Sequence, residues 1–397
     1  MPLRKKIIFI AVLVTVSGLL AFFAAELILR VAPIPGIGYH TTYYDELTGG
    51  HLYPNTTKWY RSARGDLVKR KVNGWGFLDV DHEVEKAPGS ARIGFFGDSY
   101  TEAEQVAIEN TFFRLIETAL NEALAAGSDP PAAVERFEAL AFGISGRSTL
   151  QSYLECTRWM EPLELDVVVY VFCENDVSDQ IRALNPVQGV PFAYLDGDSF
   201  AIDNSFRERC RRKTTWWHRS WQYAKSHSLV LSTLESRLKL LRRHGIKTRA
   251  TEADMQMEAV PPAAGGDDAA FVRGQGTGPS AWRSDSLLTY SRTLLERVLD
   301  EWHTDVQSQG RKFAILYVPK ERHMDKPVPE QDSWAAWIHD YCRNRRITLV
   351  DPSAQLVAER DAGREVFYDH FTPDGHRAVA GAFIGRIPPP AESPSGR

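Results

Sequence analysis

The chain is poor in cysteine, with four in 397 residues, Cys156, Cys173, Cys210 and Cys342, set far apart. Without a CxxC pair or a His/Cys cluster, no zinc site is expected, nor any other metal or cofactor. One or two disulfides would suit an oxidising compartment, and four buried free thiols fit the spacing equally well. An excess of either charge is also missing. Lys and Arg number 47 against 51 Asp and Glu, a net charge of -4, so nothing global points to nucleic acid. The rest is ordinary globular composition, 43% hydrophobic and 25% charged, ample for a large core.

Long apolar runs are almost lacking too, with one exception. Arg4-Lys5-Lys6 precedes Ile7 to Ala25, 19 residues without a charge. As a helix this run is about 29 Å long, enough to cross a bilayer. The basic flank should stay cytoplasmic and place the remainder outside. The rival is a cleaved signal peptide, whose apolar region is usually shorter and for which Phe22-Phe23-Ala24-Ala25 is a poor cleavage site. No cysteine follows closely, which argues against a lipid-modified terminus. The expected location is therefore a cytoplasmic membrane, single-pass, with the bulk of the chain periplasmic or extracellular.

Beyond this segment, residues 31–90 are rich in Tyr, Thr, Gly and Pro and read as short strands and loops packed on a main domain. No chemistry is expected there, and Gly74-Trp75-Gly76-Phe77 reads as packing. From residue 91 strand and helix alternate. Strands are predicted over Ile93 to Phe96, Phe137 to Phe142, Val167 to Phe172, Lys312 to Val318 and Ile347 to Val350. Helices are predicted over Asn110 to Ala125, Ser148 to Met160, Ser284 to Gln309 and Ser333 to Asn344. A last one is capped by Thr372, with Pro373 at its first position. This alternation predicts a mostly parallel five-stranded sheet with helices on both faces, a flavodoxin-like three-layer α/β/α domain over 91–386.

The alternation breaks at 177–283, which reads as an insertion. Within it Leu231, Leu234, Leu238 and Leu241 recur at helical spacing. Around them stand Trp216, Trp217, Trp221 and a basic set of Arg211, Arg212, Lys213, Arg237, Lys239, Arg242 and Arg243. One reading is a lid that meets anionic lipid or stacks on sugars. The other is an ordinary helix with a packed stripe and a solvated basic face. Residues 249–283 read as a flexible linker and 387–397 as a disordered tail.

The centre of the chain is Arg92-Ile93-Gly94-Phe95-Phe96-Gly97-Asp98-Ser99-Tyr100-Thr101-Glu102. A buried strand ends at Gly97, and Asp98 and Ser99 follow at its carboxyl end, where open α/β sheets put their ligands. A serine there can be a nucleophile if a base reaches it, although Gly, Asp and Ser are also common turn residues. Three later stretches bear on the choice: Ala141-Phe142-Gly143-Ile144-Ser145-Gly146, Cys173-Glu174-Asn175-Asp176, and Tyr368-Asp369-His370-Phe371-Thr372-Pro373.

In that order the four stretches resemble the sequence blocks of the SGNH hydrolases, also called GDSL esterases, over residues 92–385. The resemblance implies Ser99 as nucleophile and His370 as base, 271 residues apart, so that only the fold can join them. It also implies an oxyanion hole from the amides of Ser99 and Gly146 and the side-chain amide of Asn175. A glycine lets the backbone approach a substrate, and an asparagine offers two N–H donors without charge.

Three departures stand out. Ala141 replaces a frequent Asn, and Cys173 replaces the usual glycine two residues before Asn175. Phe367 occupies the position of the orienting acid three residues before the histidine. Asp369, adjacent to His370, is the acid carried forward, with Glu365 five residues away. A second histidine, His376, falls one turn inside the last helix, where packing is its expected job.

The resemblance implies a serine esterase acting on O-acyl, chiefly O-acetyl, esters, with an acylated polysaccharide or lipid at a cell surface as setting. An O-acyltransferase using the same acyl-enzyme and a non-catalytic glycan-binding module on the same fold are the alternatives. The oligomeric state is not legible.

Overall fold

In the computed structural model, residues 2–31, 41–62, 64–127, 134–182, 185, 187, 189–247, 285–321 and 334–386 are described. The predicted linker and tail, 249–283 and 387–397, lie outside them. Five parallel strands form the central sheet: β1 (Ser90–Gly97), β2 (Arg136–Gly143), β3 (Val167–Phe172), β4 (Lys312–Tyr317) and β5 (Thr348–Val350). Across the sheet they lie in the order β5-β4-β3-β1-β2, every pairing parallel. This is the doubly wound order 2-1-3-4-5, whose topological switch point lies between β1 and β3.

Period-two alternation of the strands makes two cores, one per face. Phe96, Phe142, Tyr170, Phe172, Ile315 and Tyr317 point to one side. There they meet α3 (Thr149–Trp159), α6 (Asp285–Ser308) and α7 (Trp334–Arg345), with Trp302 fully buried at the centre. Ile93, Phe95, Ala139, Val169, Val171 and Leu316 point to the other. That face is covered by α2 (Phe112–Ala125), α8 (Ser353–Asp361) and α9 (Pro373–Ile384). Thr372 Oγ1 accepts the Gly375 amide at 3.2 Å, with Pro373 opening α9, so the cap read from the sequence forms. All four cysteines are buried free thiols.

The amino-terminal helix α1 (Leu3–Val31) carries the apolar run, with a mean hydropathy of 2.7 over its best window and none of that window buried in the protein. Residues 41–90 add antiparallel pairs, Thr42–Tyr43 with His51–Leu52 and Thr57–Arg61 with Leu67–Lys71. Phe77 from the Gly-Trp-Gly-Phe stretch is buried against Phe142, edge to face with centroids 5.1 Å apart. The insertion contributes a hairpin, Phe192–Asp196 with Ser199–Asp203. After it come α4 (Trp216–His227) and α5 (Leu229–Lys247). Of the leucine stripe of α5, Leu231 is half-buried, and Leu234 and Leu238 are 53% and 45% exposed.

Candidate active site

The switch point brings the candidate residues together. After β1, Asp98 and a single helical turn, Ser99–Glu102, leave the sheet. Asp98 is buried, and its Oδ1 accepts the Tyr100 amide at 3.0 Å, which closes the turn. A hairpin between β5 and α9 delivers the histidine: Phe367 pairs with Phe371 and Tyr368 with His370, leaving Asp369 at the tip with φ +67°. His370 Nε2 lies 2.8 Å from Ser99 Oγ. The Tyr100 ring packs on the imidazole with centroids 4.8 Å apart, and burial pushes the Tyr100 phenol up, so it stays neutral beside the pair.

His376 is elsewhere. It is fully buried, stacked on Phe112 and edge-on to Phe371, and its Nδ1 accepts the Phe112 amide at 3.2 Å. Burial, reinforced by Arg70 and His370, brings its pKa down to about 3, so the ring is neutral.

The two acids considered for His370 behave differently. Asp369 Oδ2 is 3.6 Å from Nδ1, beyond hydrogen-bond distance, on a side chain 75% exposed. Glu365 turns away and receives Arg64 in a bidentate pair at 2.6 and 2.7 Å. Among the described residues, Nδ1 of His370 has no hydrogen-bond acceptor.

The three amide groups expected to form the oxyanion hole lie on three loops, after β1, β2 and β3. Neither the Ser99 nor the Gly146 N–H has a protein acceptor among the described residues. Gly146 follows β2 with φ +76°, and a Cβ there would meet nothing within 4 Å. The left-handed backbone there favours glycine. Close approach matters instead at Gly143, where a Cβ would sit 2.2 Å from the Glu102 amide. Asn175 follows β3, its Nδ2 donating to Asp98 Oδ2 at 3.0 Å and reaching Asp179 Oδ2 at 3.5 Å.

Several contributors had no signal in the motifs. Glu102, buried at the end of the serine's turn, accepts the Ser145 amide at 2.7 Å and the Ser145 hydroxyl on Oε2. Its Oε1 takes Lys58 Nζ at 2.5 Å, and Lys58 also reaches Glu104 at 2.6 Å. Burial opposes the Lys58 charge, yet the two carboxylates hold its pKa above the ordinary range. Arg147, on the other flank of Gly146, is buried and pairs with buried Glu155 at 2.7 Å. The Gly146 loop is thus anchored on both sides by buried carboxylates. Residues 41–90, expected to carry no chemistry, supply Lys58 to this anchor.

Cys173 is the other addition. Its Sγ lies 2.9 Å from Asn175 Oδ1 and 3.2 Å from Asp98 Oδ2. Burial, then the charges of Asp176 and Asp98, push the thiol well up, so it keeps its proton as a donor. That hydrogen favours the amide orientation with Asn175 Nδ2 toward Asp98. Burial and Asp98 likewise push Asp176 well up; its Oδ2 receives the Tyr170 hydroxyl at 2.8 Å and the Cys173 amide at 3.1 Å. Ligand atoms of Asp98, Cys173 and Asp176 lie within 4.8 Å of one another. Hydrogen bonds from Cys173 link it to both carboxylates, its Sγ to Asp98 and its amide to Asp176. Burial also raises Asp179 to about 6, Asn175 opposing and Asp98 adding to the shift.

No family model matches the chain, and no curated protein does. Among solved structures it is similar to an acetyl xylan esterase, AlAXEase, at 15% identity and a TM-score of 0.36, over 73% of this chain and 96% of that one. A member of the lipolytic protein G-D-S-L family from Veillonella parvula matches at 11% identity and a TM-score of 0.35, over 74% and 95% of the two chains. A catalytic mutant of an acetylxylan esterase from Geobacillus stearothermophilus matches at 11% and 0.35, over 74% and 93%.

Proposed function

We propose that the chain is a serine ester hydrolase of the SGNH type, acting on O-acyl and chiefly O-acetyl esters. One observation carries this reading: the 2.8 Å contact between His370 Nε2 and Ser99 Oγ, made by residues 271 apart in sequence. A neutral serine is a weak nucleophile until a base takes its proton, and the imidazole is within the distance that requires.

In the reaction, Ser99 Oγ attacks the ester carbonyl carbon while its proton passes to His370 Nε2. The developing oxyanion is met by the Ser99 and Gly146 amides and by the second Asn175 Nδ2 hydrogen, which leaves its long 3.5 Å contact with Asp179. Each such donor is worth about 3 kcal/mol of transition-state stabilisation. Collapse breaks the C–O bond, and the leaving alcohol takes the proton from His370. Water then attacks the acyl-enzyme, gives a proton to the same nitrogen, and the acid leaves as Ser99 regains its hydrogen. Asp369 supports the imidazolium only as a nearby solvent-screened charge, so the pair works as a dyad.

The domain so equipped runs over 91–386, with 177–283 inserted and 31–90 packed on it. The setting is a cell envelope, where α1 holds the protein in the membrane with Arg4, Lys5 and Lys6 on the cytoplasmic side. An acetylated glycan fits that placement. The test is turnover of an aryl acetate by the full chain in detergent. The wild type should release the phenol with saturation kinetics and Ser99→Ala should not. Equal rates for the two would refute the reading.

A further inference from the structure

The exposed tryptophans of the insertion are tied to the anchor helix by a specific corner. Glu26 is the first charge after the apolar run, and it is buried. Its carboxylate accepts Ser228 Oγ at 2.9 Å and the Leu229 and Val230 amides at 3.1 Å each, capping the amino end of α5. One turn later Arg30 pairs with Glu26 at 2.9 Å and donates to the His227 carbonyl at 3.1 Å, at the carboxyl end of α4. An anion thus meets the positive end of one helix and a cation the negative end of the other, the arrangement helix dipoles favour. The α4–α5 corner is fixed where α1 would leave a bilayer.

From that corner α4 carries an aromatic face that is exposed among the described residues, Tyr223 also packing on His227 and Tyr53. Trp216, Trp217, Trp221 and Tyr223 are 67%, 76%, 47% and 58% exposed. Trp217 and Trp221 are one turn apart on one face. Trp216 packs edge-on against Trp217 with centroids 4.4 Å apart. At 1.5 Å per residue, the whole of α4 lies within about 18 Å of the corner. Arg211, Arg212, Lys213 and Arg219 beside it are exposed. Large exposed apolar patches mark interaction sites, and Trp with basic residues is the composition of the membrane interface.

We propose that α4 is a second membrane contact: its tryptophan face enters the headgroup layer of the bilayer that α1 crosses, with the basic residues on anionic lipid. The inference does not depend on the ester chemistry.

The test uses the full chain in vesicles of phosphatidylglycerol and phosphatidylethanolamine. The native cysteines are buried, so an environment-sensitive fluorophore labels only an introduced thiol, at Trp217→Cys or, as a marker of the span, at Ser17→Cys. Spin-labelled lipid should quench both labels, and the emission at 217 should shift to the blue on reconstitution. In a Glu26→Ala, Arg30→Ala background the label at 217 should lose most of its quenching while that at 17 keeps it. Quenching at 17 with none at 217 would overturn the proposal and leave the span standing. Quenching at neither site would overturn both.

Discussion

Glu102 accepts the Ser145 amide at 2.7 Å and so ties the turn that carries Ser99 to the loop that carries Gly146. The nucleophile and one expected oxyanion donor come from different strands, and a single buried carboxylate sets their separation. Glu102→Ala should therefore lower kcat by about 100-fold with little change in KM, as loss of one oxyanion donor does. Glu102→Gln, which can still accept from Ser145, should recover most of it. Equal activity of both variants and the wild type would separate the loop from the chemistry.

The orienting acid is the second point. Asp369 lies 3.6 Å from His370 Nδ1 on an exposed tip. Steady-state kinetics should show less than about a 10-fold loss for Asp369→Asn, since an exposed charge is screened. His370→Ala should cost several orders of magnitude. A large loss in Asp369→Asn would mean that the tip closes on the imidazole when substrate binds.

His376 separates stability from chemistry. His376→Ala should remove about 2–4 kcal/mol of stability, the usual cost of a large side chain deleted from a core. The kcat of the protein that remains folded should stay near the wild-type value. Denaturant midpoints measured with active-site titration distinguish the two effects.

Much of this architecture is legible in the sequence. β3 is an unbroken apolar run because both of its faces are covered, and its predicted ends, Val167 and Phe172, are those observed. Thr372 and Pro373 announce the start of α9 through local cap chemistry, which needs no tertiary context. The four motif residues could be placed because each follows a strand or precedes a cap. The supports could not. Glu102, Lys58 and Cys173 act through contacts made across the fold, and no local pattern distinguishes them from solvated or packed residues. The exposed Trp216 and Trp217 show the converse: their content was visible, but only the Glu26 corner relates them to the anchor.

Burial holds the Asp179 pKa at about 6 against an ordinary 3.8. The folded state therefore binds more protons than the unfolded one between these values. This contribution to stability is present below pH 3.8 and is lost as pH rises through 6. Unfolding in urea should show the Asp179→Asn variant losing less stability than the wild type over that window. Asp176 is shifted in the same direction and remains, so some slope should persist. An unchanged slope would show that Asp179 is solvated.

The central claim is that Ser99 is a nucleophile activated by His370. A fluorophosphonate probe reacts with such a serine and leaves one covalent adduct, so intact-mass and peptide-mass measurement tests the claim directly. The account predicts a single adduct on the peptide containing Ser99, formed by the wild type and absent from Ser99→Ala and His370→Ala. An unlabelled wild type, or an adduct on any other residue, would contradict it.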